Sequence, residues 1–247
     1  MPDFGDTIRI TSDEHREIFA RLQPHLPPYL TKVEPSRYGY GLCFEFKPFT
    51  GREEEPSAPD ASYDDPKLRY SAESDDPAEY RLRVAAREIL SDLYSRARAE
   101  WKVAAYVADL RQVVKDAPAR WEAYEQAANA LDSAYGYLRT PQAGAEWPSA
   151  ISRLVDAQER ALAAARAFDD RAAEIAAVQY KHLYADLGDA AALAAAGYPE
   201  AKDWHIGDGF GGYYSQSLLE KVRHLTDEQD AHLAKVGRLA GSGTALA

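Results

Sequence analysis

No glycine occurs from Pro77 to Tyr135. A stretch of that length without the residue that most readily breaks regular backbone points to long helices. Asp76-Pro77 opens it in the preferred way, with an acid at the cap and proline in the first turn. Leu82, Ala86, Ile89, Leu93, Ala97, Trp101, Ala104, Val107 and Leu110 keep one apolar stripe to about Lys115, roughly 39 residues or ~58 Å at 1.5 Å rise. Pro118 then either kinks the helix or marks a reversal, and a reversal would lack its usual glycine. Beyond it, Trp121, Tyr124, Ala128, Leu131, Tyr135 and Leu138 alternate in steps of three and four, the pattern of helices packed at shallow angles.

TPQAGAEWPS, 140–149, is a break, and Pro148 restarts a helix through Ile151, Leu154, Val155, Leu162, Ala165, Phe168, Ala172, Ile175 and Leu183 to Leu187. Its length, again about 39 residues or ~58 Å, suggests that the first and third helices pack side by side. Abundant alanine on their faces favours close helix approach over a ligand cavity. After Gly188 come a short alanine-rich segment, a loop, and two short helices, Tyr213 to His224 and another opened by a Thr226-x-x-Gln229 capping box.

Ahead of the helices, residues 1–49 read as a compact mixed unit. Thr7 to Thr11 alternates as a strand, a helix runs from about 12 to 25, and two strands meet around Glu34 to Ser36. Tyr38, Tyr40, Leu42, Phe44 and Phe46 share one face of the last strand, read as core. Cys43 lies on the other face, with a buried, inert thiol as its expected state. Residues 50–76 combine prolines, repeated acids and little aliphatic content, the signature of a linker, with Tyr63, Leu68 and Tyr70 as anchors. The expected class is therefore α+β, predominantly α: a small β-α-β-β N-terminal domain (1–49), an acidic linker (50–76), an elongated antiparallel helical bundle or coiled-coil hairpin (77–187), and a glycine-containing loop with short C-terminal helices (188–247).

The net charge of −11 is concentrated. Residues 51–80 hold ten acids against Arg52, Lys67 and Arg69, while 81–117 carry eight Lys or Arg against five acids. So acidic a chain repels phosphates, which argues against direct nucleic acid binding. The simpler role of the Arg-rich helix is to attract the adjoining acidic segment. A lone cysteine, an N-terminus without a secretory pattern and the lack of any run of about 20 apolar residues point to a soluble, cytoplasmic protein without a membrane anchor.

Gly207, Gly209 and Gly212 spell G-x-G-x-x-G. A dinucleotide site also needs a preceding strand inside a βαβ unit, and the residues upstream are helical apart from DWHI. The stretch reads instead as an aromatic-flanked joint in which Trp204, Phe210, Tyr213 and Tyr214 fold back onto the helices. Asp203, His205 and Asp208 cluster there without a legible nucleophile or third ligand. Trp204, His205, Asp208, Phe210, Tyr213 and Tyr214 thus form the one candidate interaction or ligand loop. Glu220, His224, Glu228 and His232 are spaced by four, but a break at Thr226 would split the row and leave His224 beside helix-terminal carbonyls. No catalytic residue, cofactor or metal follows from the sequence. It points to a non-enzymatic protein-protein interaction or assembly protein, alone in copies or with a protein partner. The alternatives are a small-molecule-binding regulator or enzyme using the Trp204–Tyr214 loop, and an inhibitor acting through the acidic 51–80 segment.

Overall fold

The computed structural model describes residues 17–18, 20–35, 42–59, 65, 76–199 and 217–242. The expected strand at Thr7 to Thr11, the anchors Tyr63, Leu68 and Tyr70, and the whole loop 203–214 lie outside them. The protein is predominantly helical with one small antiparallel sheet, β1 (Leu30–Pro35) and β2 (Leu42–Phe46). The helices are α1 (Pro77–Val113), α2 (Ala117–Leu138), α3 (Trp147–Lys181), α4 (Asp189–Ala195) and α5 (Leu218–Ser242). Two compact units are present: Met1–Ala105 with Tyr184–Asp186, and Tyr106–Leu183 with Leu187–Ala247.

In the first unit, residues 17–18 and 20–22 are helical and lead through a 3-10 turn, Gln23–His25, to the sheet. Register pairs Leu30 with Phe46, Val33 with Phe44 and Pro35 with Leu42. A two-stranded sheet has only one face to cover. Phe44 and Phe46 pack against the cluster of Ile18, Leu22, Ala85, Ala86, Leu90, Leu93 and Tyr94, as their alternation implies. The opposite face stays in solvent, which corrects the expectation for Cys43: its thiol is exposed. Asp76 caps α1, its Oδ1 accepting the Ala78 N–H at 2.9 Å.

Arg21 ties the front of this unit to α1 with a two-pronged pair to Glu79, at 2.8 and 2.7 Å. That guanidinium, followed by Arg83, holds the Glu79 carboxyl down at about 2. A carboxylate whose folded pKa is depressed contributes stability above its unfolded value and loses it as pH falls through the folded one. Arg21→Ala is therefore expected to cost about 1–2 kcal/mol near neutrality, discounted for the pair's partial exposure. The difference from wild type should shrink as pH drops from ~4.5 towards 2. Urea midpoints across that range check it, and a pH-independent difference would contradict the pairing.

In the second unit the question at Pro118 resolves as an interruption. Asp109 of α1 meets Lys181 and His182, Asp116 meets Arg171, Arg120 donates to the Ala167 carbonyl at 2.7 Å, and Trp121 packs edge-on to Phe168. Positions rise from 109 to 121 as their partners fall from 182 to 167. The end of α1 and all of α2 therefore follow α3 in one antiparallel sense. Pro118 sits in the first turn of α2, where its missing N–H has no intrahelical acceptor to lose.

The seam between α2 and α3 is built from Leu131, Leu138, Ala150, Leu154, Ala157, Ala161 and Ala165, joined by Val222 of α5. The alanines let backbones approach. Apolar faces of α3 are thus filled by α2 and α5, while Val155, counted into the stripe, is exposed. The helix also ends at Lys181 instead of Leu187.

The C-terminal region differs most from expectation. One continuous helix, α5, runs through Thr226, whose Oγ1 donates to the Arg223 carbonyl at 2.8 Å within the helix instead of opening a new one. Gln229 does not cap. It is 1% exposed, its Oε1 accepting from Gln158 Nε2 at 3.1 Å, while Gln158 Nε2 also reaches Asp230 Oδ1 at 3.2 Å. Gln229 Nε2 is buried without a hydrogen-bond partner among the described residues. At the start of α5, both oxygens of Asp169 on α3 accept main-chain N–H groups, from Leu218 at 3.1 Å and Leu219 at 3.0 Å. A carboxylate from a neighbouring helix thus satisfies donors that a helix N-terminus leaves open.

Candidate functional site

Among the described residues of the second unit, charged and aromatic groups converge where α1, the end of α3 and the start of α4 meet. From Val103 to Ala108 no charged residue occurs, and Ala105, Tyr106, Val107 and Ala108 are all buried, so this part of α1 is covered on every side. Tyr106 is 1% exposed and its Oη donates to Asp189 Oδ1 at 2.6 Å. Its ring stacks on His182, centroids 5.3 Å apart and planes 22° off parallel. Asp109, one turn further along α1, accepts at a single oxygen from Lys181 Nζ at 2.7 Å and lies 2.9 Å from His182 Nε2. Arg111 reaches over to the Ala195 carbonyl at the end of α4 at 3.2 Å.

The electrostatics follow from these contacts. Burial alone would raise the Asp109 carboxyl, but the Lys181 and His182 hydrogen bonds outweigh it and bring it down to about 2. Burial, then the Asp189 carboxylate, push the Tyr106 phenol well above its ordinary value. Tyr106 therefore stays a neutral donor and Asp109 an ionised acceptor throughout the physiological range. A catalytic base needs an uncommitted lone pair within reach of a substrate proton. Here Asp109 Oδ2 is engaged twice and the phenol proton is spent on Asp189. Chemically the arrangement clamps the turn after α3, at the residue where the helix stops.

A second group sits in the first unit, where His25 Nε2 lies 2.9 Å from Asp65 Oδ2 and the His25 carbonyl accepts from Tyr94 Oη at 3.1 Å. Tyr29 stands beside it, its phenol raised to about 12 by burial and then by Tyr94.

Neither group was singled out as a cluster by the sequence pattern. Their partners lie 40 to 84 positions away, beyond any local periodicity. The uncharged run 103–108 in an otherwise charge-rich helix is the one legible signal for the buried Tyr106. The loop of Trp204, His205, Asp208, Phe210, Tyr213 and Tyr214 lies outside the described residues, as do the glycines of the G-x-G-x-x-G match. The row of Glu220, His224, Glu228 and His232 does lie on one helix, because α5 is continuous, and His224 is mid-helix instead of at a terminus. Within the row His224 pairs with Glu228 at 3.3 Å, while His232 Nδ1 lies 2.8 Å from Tyr135 Oη on α2. Among the described residues no group of three or more His, Cys, Asp or Glu side chains is placed to hold a metal ion, and no helix is long and apolar enough to cross a membrane. No family model, curated protein or solved structure matches the chain.

Proposed function

We propose that this chain is a non-enzymatic protein-protein interaction or assembly protein, its long helices forming an elongated antiparallel bundle that presents surface to a protein partner or to further copies of itself. The observation that supports this most directly is at the end of α3. Tyr180 is 71% exposed and Leu183 41%, and Tyr184, next in the chain, is 85% exposed. Meanwhile Lys181 and His182 are spent on Asp109. Large aromatic side chains standing in solvent are the residue type that anchors protein interfaces. A cytoplasmic setting is part of the proposal, supported by the exposed, single Cys43.

Light scattering during gel filtration, with a pull-down from the source cells, tests it. The expected result is self-association or a recoverable stable complex, weakened by Tyr180→Ser with Tyr184→Ser while helicity is unchanged. Substituting such anchors typically costs about 1–2 kcal/mol or more of binding, roughly tenfold in affinity. A strict monomer from which no partner is recovered would sink the proposal.

A further inference from the structure

The acidic stretch after β2 does not simply leave the first unit: residues 51–58 lie along α1 as an extended strap. Gly51 crosses the helix with φ +73°, and a Cβ there would come within 2.3 Å of the Ala105 backbone. Two residues on, the Glu53 carbonyl accepts the Trp101 indole N–H at 3.1 Å. Next, Arg98 Nε donates to the Pro56 carbonyl at 3.2 Å and lies 3.1 Å from Glu55 Oε1. Pro56 is buried and Ala58 packs on the core around Leu90 and Leu93. The strap advances as the helix positions fall from 105 to 98, so the two run antiparallel.

The strap is shaped in advance. Glu53 folds back on its own loop, accepting the Thr50 N–H at 2.8 Å, the Thr50 hydroxyl at 2.7 Å and the Arg52 N–H at 3.1 Å. Its attachment to the helix is nonetheless light, because Arg98 and Glu55 are 48% and 46% exposed and such pairs hold weakly. Two of the helix's hydrogen bonds go to main-chain carbonyls. What α1 recognises is therefore an extended backbone with a glycine at the crossing and an acid followed by proline four and five residues later, more than any one side-chain sequence.

We propose that the Trp101 and Arg98 face of α1 is a docking site for an extended acidic segment of a partner protein, with glycine, three residues, an acid and then proline, and that residues 51–58 occupy it in cis as a built-in competitor. The donor is a different protein rather than a second copy, because the strap begins only a few residues after Phe46 and is tied to its own sheet. The inference goes beyond the assembly reading, since a strictly monomeric chain would carry this site equally well.

The test uses the full chain and a fluorescent peptide of residues 50–58, TGREEEPSA, followed by anisotropy. A tethered segment competes at an effective concentration of about millimolar, so micromolar peptide should barely bind the wild type. Gly51→Val, which lifts the strap from the helix, should bind it at least about tenfold more tightly. Adding Arg98→Glu to Gly51→Val should abolish that gain. Should Gly51→Val lose the wild-type circular dichroism, Glu55→Lys with Pro56→Gly leaves the crossing intact and carries the same expectation. The proposal is overturned if the freed-strap variants bind no tighter than wild type, or if their binding is indifferent to Arg98.

Discussion

Leu154→Ala is expected to lower the unfolding free energy by about 2–5 kcal/mol, in the upper half of that range. Leu154 is wholly buried at the centre of the seam joining α2, α3 and α5. Removing its isobutyl group loses transfer free energy and leaves a cavity, and how much the cavity costs depends on whether neighbours can move in. Along its own helix the flanking residues are Ala150, Ala157 and Ala161, and an alanine has no side chain to swing, so relaxation would have to come from Leu131, Leu138 and Val222 in the same seam. The adjacent Val155, 44% exposed, supplies the control, with Val155→Ala expected to cost less than about 1 kcal/mol. Urea unfolding of the two variants side by side measures the contrast, and equal losses would mean that α3 is rotated away from the seam described.

The second large effect is at Tyr106. Tyr106→Ala should cost about 3–5 kcal/mol, since it empties the space of a fully buried ring and uncovers the face of His182. Tyr106→Phe keeps the ring and its stacking and loses the hydroxyl's hydrogen bonds, the 2.6 Å one to Asp189 and the one with Gln179. Because Asp189 is half-exposed, water can replace the lost donor, and the expected cost falls to about 1 kcal/mol. Amide exchange localises the damage: the alanine variant should speed exchange in α4 and the last turns of α3. Unchanged exchange there would separate Tyr106 from the clamp.

Much of the helical architecture was legible because it rests on local rules. The Asp76 cap, the α2 stripe and the alternation of Leu42, Phe44 and Phe46 each need only a few neighbours in the chain, and each appears where the spacing puts it. The misreadings share a cause. Thr226-x-x-Gln229 has the letters of a capping box, but whether a threonine starts a helix or sits within one depends on the partner surface, here the seam with α3. Cys43 reads as a buried small hydrophobe from its residue type, but its exposure depends on what covers that face of the sheet, which no local pattern states. The candidate clusters were illegible for the opposite reason: Asp109, His182, Tyr106 and Asp189 are common surface residue types whose meaning comes only from long-range pairing.

The Gln158 and Gln229 contact has a consequence for how α5 can be seated. A purely apolar seam tolerates sliding, since one aliphatic contact replaces another at small cost. Slipping α5 by a single turn, about 5.4 Å, would part Gln158 Nε2 from both of its acceptors, Gln229 Oε1 and Asp230 Oδ1, leaving buried amides unmet at about 1–3 kcal/mol each. Even with the Gln229 Nε2 amide unsatisfied among the described residues, the glutamine pair therefore acts as a detent: the helix has one notch along α3, and Asp169 closes over its first turn only when it rests there.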